Sequence, residues 1–119
     1  MNFQSHITKA ISFEKNANVK DMLEWQSVKL FYAGLHYVHA FLSLSNIHPP
    51  DHRAILNEII SNNLLIKLHA DYKLLYDDSL LSRYHETSLI RNTLSDYKHS
   101  LSKIKSILHT DGEYLRNII

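Results

Sequence analysis

The sequence predicts an all-α protein, an up-and-down bundle of four to five helices built as one domain over residues 1–119. Three observations carry that expectation. Only two glycines and two prolines occur in 119 residues, and the prolines are adjacent, Pro49 and Pro50, so there is turn chemistry for few connections. Apolar residues recur at spacings of three and four along nearly the whole chain. The strict alternation of a half-buried strand is found nowhere.

The first helix is expected from about Phe3 to Ala17, with Phe3, Ile7, Ala10, Ile11 and Phe13 as its apolar contacts. Asn16-Ala17-Asn18 separates it from a second helix of about Lys20 to Leu44. That second helix contains the segment from Phe31 to Leu42, too apolar for a surface, where Ala33, Gly34 and Ala40 are small enough to let a neighbour approach. It is the central helix of the predicted bundle. A stop is expected near Ser45-Asn46, and Pro49-Pro50 requires an extended connection because proline disfavours helical backbone in the residue before it. Asp51 is a good N-cap for a third helix through Ile55, Leu56, Ile59 and Ile60, interrupted at Ser61-Asn62-Asn63. A fourth runs from about Leu64 to Ser82 on Leu68, Tyr72, Leu75/Tyr76 and Leu80. The fifth reads as a seam of Ile90, Leu94, Tyr97, Leu101, Ile104 and Leu108, stopped by Asp111-Gly112 and followed by an apolar tail from Tyr114 to Ile119.

Composition narrows the function classes. The net charge is +1, and the two halves are alike, five Lys/Arg against five Asp/Glu in residues 1–60 and eight against seven in residues 61–119. The chain as a whole therefore carries no basic footprint for nucleic acid. No cysteine is present, which removes disulfides and thiolate zinc sites. No apolar run approaches the ~18 residues of a membrane span, and the first six residues lack the regions of a signal peptide. The expectation is a cytoplasmic chain with no membrane contact. Gly-rich phosphate loops and nucleophile elbows are also missing, and nothing calls for a cofactor.

Three groups of residues can carry chemistry. Histidine is abundant, nine residues in all. His36 and His39 share one helical face, and His48 and His52 flank the prolines. Two imidazoles one turn apart can share a metal, but a catalytic zinc needs a third ligand, no carboxylate is within a turn, and H-E-x-x-H is absent. The sequence therefore assigns no metal, and the imidazoles read as hydrogen-bonded groups at the edge of the core. The second group is Ser79-Leu80-Leu81-Ser82-Arg83-Tyr84-His85-Glu86, which gathers a permanent cation, a phenol, an imidazole and a carboxylate at the junction of the fourth and fifth helices. The alternative is a helix-end network in which Arg83 satisfies last-turn carbonyls or pairs with Asp77 or Asp78 while Tyr84 packs on the core. The third is a line of Arg91, Lys98 and Lys105 at seven-residue spacing on the fifth helix, with no acid from Tyr97 to Thr110. Such a line can track phosphates or simply face solvent.

The pattern Trp25…Tyr32-Ala33-x-x-His36…Ala40-x-Leu42, then Ile47-His48-Pro49-x-x-His52, then Tyr72-x-x-Leu75-Tyr76-x-x-Ser79-x-x-Ser82-Arg83-Tyr84 resembles the HEPN superfamily (higher eukaryotes and prokaryotes nucleotide-binding domain) over about residues 20–110. The resemblance implies a four- to five-helix bundle that forms homodimers and works near RNA. It implies either a metal-independent endoribonuclease of a toxin–antitoxin or defence system, or a non-catalytic module that partners a nucleotidyltransferase or another protein, or binds nucleotide. The ribonuclease branch carries an Arg followed by His with four to six residues between. Here those slots hold Glu58, Ile59 and Ile60 after Arg53, Ser88, Leu89 and Ile90 after Arg83, and Asp96, Tyr97 and Lys98 after Arg91. With that element absent, the catalytic candidates are Arg83 with His85, and Arg91 with His99. His36, His52, Tyr84, Lys98 and Lys105 are the binding candidates, with folding required to bring His36 and His52 together.

Overall fold

A computed structural model describes residues 2–17, 22–84 and 86–111, with side chains described through Leu108. The expected start of the second helix at Lys20, the stop at Gly112 and the apolar tail fall outside those residues, as does His85. Among the described residues the chain forms five α-helices and no strand: α1 (Phe3–Asn16), α2 (Leu23–Ser43), α3 (His52–Ser61), α4 (His69–Arg83) and α5 (Leu94–Asp111). Short 3₁₀ turns at Leu65–Leu68 and Thr87–Leu89 precede α4 and α5. None of these helices is long and apolar enough to cross a membrane.

Local chemistry sets most of the boundaries. Asn2 caps α1 by accepting the Ser5 amide at 2.8 Å, and Asp51 caps α3 by accepting the Ala54 amide at 2.8 Å. The end of α2 is closed by Asn46, which adopts a left-handed φ of 57°. The Ile47 amide then reaches back to the Leu42 carbonyl and the Asn46 amide to that of Ser43, a Schellman closure that asparagine tolerates better than other non-glycine residues. Two boundaries differ from expectation. α4 starts at His69, not at Leu64: Asn62 Oδ1 accepts the Leu64 and Leu65 amides at 2.8 and 3.0 Å, and Leu65–Leu68 form a separate 3₁₀ turn ahead of it. α5 starts at Leu94, not at Ile90. Thr93 and Asp96 form a reciprocal capping box, the Asp96 carboxylate accepting the Thr93 amide at 2.7 Å and Thr93 Oγ1 accepting the Asp96 amide at 3.3 Å. Ile90 and Arg91 consequently lie before the helix.

The helices alternate in direction around α2. His6 meets His36 while Phe13 meets Tyr32, so α1 runs antiparallel to α2. Ser27 meets Ser82 while Phe31 meets Tyr72, so α4 does too. Tyr97 and Asn92 reach Asp78 from the start of α5. The core is the apolar face of α2 (Leu30, Phe31, Ala33, Tyr37, Val38, Ala40, Leu42) enclosed by Ile7, Ile55, Ile59, Leu68, Tyr72, Leu75, Leu101 and Ile104.

Gly34 marks where α2 packs most closely. A Cβ there would sit 3.3 Å from Leu75 Cδ1 and 3.5 Å from Ile104 Cδ1. Both neighbours are side-chain ends that can yield by tenths of an ångström. The roughly 0.5–1 kcal/mol by which alanine is preferred over glycine inside a helix should therefore prevail, and Gly34→Ala is expected to be neutral or slightly stabilising. Gly34→Leu has no such room between α4 and α5 and should lose about 1–3 kcal/mol. Urea unfolding of the two variants checks both signs.

Candidate functional site

Two clusters of polar chemistry adjoin on α2. The first is an imidazole stack between α1 and α2. His6 Nδ1 lies 2.9 Å from His36 Nδ1, and the His6 ring stacks on His39 with centroids 4.9 Å apart and planes 11° from parallel. Phe13 stacks on His36 at 5.9 Å. Burial and the mutual repulsion of these rings hold His6 and His36 at pKa values of about 4, and burial lowers that of His39 as well, His48 adding to it. All three are neutral at pH 7. A 2.9 Å contact between two Nδ1 atoms then requires one to carry the hydrogen and the other to accept it. Among the described residues no group of three His, Asp or Glu side chains is arranged to hold a metal ion.

The second cluster lines a cleft of about 410 Å³ between α2, the Pro49-Pro50 connection and the C-terminal half of α4. Its size is in the range of small-ligand sites. His52, the first residue of α3, is placed here by the Asp51 cap. Its ring stacks on Tyr76 with centroids 3.4 Å apart, and its Nδ1 is 2.9 Å from the Tyr72 hydroxyl. Burial raises the Tyr72 pKa, keeping it a phenol. Burial first and the Arg83 cation second lower that of His52, against weaker opposition from Asp77 and Asp51. His52 Nε2 is buried and has no hydrogen-bond partner among the described residues.

Arg83 forms one end of this cleft. Its guanidinium is placed by three long contacts: to the Ser79 carbonyl and hydroxyl, each at 3.3 Å, and to the Tyr32 hydroxyl at 3.4 Å. It also lies 5.8 Å from the Phe31 ring and 5.9 Å from the Tyr32 ring. No carboxylate among the described residues pairs with it. Asp77 is taken by Lys73 at 2.6 Å, and Asp78 is buried and accepts from Tyr97 and Asn92. Arg83 is shared with a second groove of about 300 Å³ formed with Glu24, Trp25, Val28 and Ser82. Trp25, 58 % exposed, presents an accessible indole in that same groove.

The other candidates are distributed around these clusters. Tyr84 lies at the cleft mouth and is 71 % exposed rather than packed on the core. His36 points to His6 on α1 and does not meet His52. Arg91 lies before α5 and donates to the carbonyls of Ser88 and Ile90 at 2.8 and 3.2 Å, whereas His99 is exposed on α5 itself. Lys98 is exposed, but Lys105 pairs with both Glu14 carboxylate oxygens at 3.0 Å, and Glu14 also accepts from the buried Tyr37 hydroxyl at 2.7 Å. The line of Arg91, Lys98 and Lys105 is thus not one cationic stripe: its first member is off the helix and its last is compensated by α1. His6 and Glu14 are residues that sequence reasoning did not select, and His39 enters it only with His36 as a pair of imidazoles on one helical face.

The fold and the cleft define an all-α bundle with a cationic, aromatic-walled groove. No family model, curated protein or solved structure matches the chain.

Proposed function

We propose that this chain is a HEPN-like module that binds RNA or a nucleotide without cleaving it, using the Arg83 cleft and working with a partner such as a nucleotidyltransferase. The observation that carries the reading is the state of Arg83: a guanidinium with no carboxylate partner among the described residues, braced by the Phe31 and Tyr32 rings at one end of a cleft and sharing a second groove with an exposed tryptophan. Arginine offers a planar fork suited to phosphate, and bases stack on aromatic side chains without strict sequence preference. Against catalysis stands the placement of the nearby imidazole, because the free nitrogen of His52 is buried away from solvent.

The test uses Trp25, the only tryptophan in the sequence, as the reporter. An oligoribonucleotide should quench its fluorescence at low salt. Arg83→Ala should weaken binding roughly ten- to a hundred-fold, the equivalent of losing a charge-assisted contact, and Arg83→Lys should restore only part. Unchanged affinity in Arg83→Ala, or no binding by the unmodified chain, refutes the proposal. One observation favours the ribonuclease alternative: His39 also lines the cleft and is neutral, so it can accept a proton. Cleavage of RNA by the unmodified chain, lost in both Arg83→Ala and His39→Ala, would replace binding by catalysis in a toxin-like protein.

A further inference from the structure

We infer that the His6–His36–His39 stack is a proton-operated latch that releases α1 from α2 in acid and thereby alters a wall of the Arg83 cleft. The inference adds a regulation to the cleft reading and rests on that reading for its functional consequence. The latch itself stands on geometry. α1 packs chiefly on α2, and four of its side-chain contacts there are ring contacts: His6 with His36 and His39, and Phe13 with His36 and Tyr32. Two of the α2 partners, His39 and Tyr32, also line the cleft. α1 is also held by Glu14, bonded to Tyr37 and Lys105, by Lys29 Nζ donating to the Asn16 carbonyl at 3.0 Å, and by the buried Ile7 and Ala10.

The groups facing the stack are of one sign. His6 feels His36, His39, His48 and the chain's amino terminus; His36 feels His39 and Lys9; His39 feels His48. No carboxylate is among them. One proton can be accommodated, because a doubly protonated ring still donates from Nδ1 to its neutral neighbour. A second proton sets N–H against N–H across 2.9 Å. The sign follows from linkage. His6 and His36 bind protons with pKa about 4 when α1 is docked, against 6.5 for the free side chain. Docking is therefore undiminished above about pH 6.5 and weakens as pH falls toward 4. At pH 5 each independently titrating histidine of this kind disfavours docking by roughly 30-fold; sharing of the first proton reduces the combined effect to something between one such factor and two.

Hydrogen exchange of the whole chain, corrected for the intrinsic pH dependence of exchange, tests this at pH 7.5 and pH 5. Amides of residues 3–16 should lose protection by roughly tenfold or more at pH 5, while those of α4 and α5 keep theirs. Protection of α1 that does not change with pH overturns the latch, and so does loss of all helices together. His6→Phe with His36→Phe keeps ring stacking and removes both titrating groups, so α1 should stay protected at pH 5; release in that variant also overturns the proposal. Should the double variant not fold, His39→Gln, which leaves the His6–His36 contact, should move the release to lower pH, and an unmoved transition counts against the latch. RNA binding at pH 7.5 separates the two readings: α1 release without RNA binding refutes the cleft alone, and RNA binding with pH-independent α1 refutes the latch alone.

Discussion

Phe31→Ala is expected to lower the unfolding free energy by about 3–5 kcal/mol, the range for emptying a buried aromatic site, seen as a fall in the urea midpoint. Phe31 is 3 % exposed and is the ring around which α2, α3 and α4 meet. Its centroid lies 5.4 Å from Tyr32, 5.8 Å from Tyr72, 5.5 Å from Tyr76 and 6.3 Å from His52. Those neighbours cannot easily collapse into the space, because Tyr72 and His52 are tied to each other at 2.9 Å and His52 is stacked on Tyr76. The cost should therefore fall at the upper part of the range. Phe31→Leu fills most of the volume and should recover most of the stability, but offers Arg83 no ring face. A cation–ring contact at an exposed site contributes about 0.5–1 kcal/mol, so the leucine variant should bind RNA a few-fold more weakly while remaining folded. Equal binding would remove the Phe31 ring from the recognition of ligand.

The all-α architecture was legible because its signals are local. Helical spacing, the scarcity of glycine and proline, Asp51 before an apolar run and the stop near Asn46 act over one or two turns, and the corresponding helices and caps are present. The start of α5 was misread by the same kind of local argument. The apolar spacing continues back to Ile90, but Thr93-Leu94-Ser95-Asp96 is a capping box, and a cap overrides an apolar residue upstream of it. The candidate site was legible only in part. The chemistry at Arg83 and His52 can be selected by residue type, yet their convergence on one cleft depends on α3 and α4 packing against α2. The pairing of His6 with His36 spans 30 residues and that of Lys105 with Glu14 spans 91. No periodicity encodes such pairs, because each partner taken alone is an ordinary helical residue. That is why the lysine line looked continuous in one dimension and is interrupted in three.

Asp78→Ala should be about as damaging as Phe31→Ala, through hydrogen bonding rather than volume. Asp78 is a carboxylate 6 % exposed whose Oδ2 accepts from the Tyr97 hydroxyl at 2.8 Å and from Asn92 Nδ2 at 2.9 Å. Burial, and then the bond to Asp78, raise the Tyr97 pKa, so Tyr97 remains a donor well into the alkaline range. A hydrogen bond to a charged group contributes about 1.5–3 kcal/mol, and an orphaned buried donor adds its own desolvation penalty. Removing the carboxylate strands both donors, and a loss of about 3–5 kcal/mol is expected. Tyr97→Phe deletes one donor, leaves Asn92 in place, and should lose about 1.5–3 kcal/mol. The double variant decides whether the contact is energetic: once Asp78 is gone, removing the Tyr97 hydroxyl relieves an unpaired group. The two losses should then sum to at least about 1.5–3 kcal/mol more than the double variant loses, whereas simple additivity would dismiss the pair. The result bears on the cleft as well. The last turns of α4 are fixed to α5 through Asp78 and to α2 through the 2.6 Å contact of Ser82 with Ser27. Ser79, which positions Arg83, lies between those two ties. If the ties set the guanidinium's position, Asp78→Ala should weaken RNA binding under conditions where the variant is still folded, although Asp78 itself does not line the cleft.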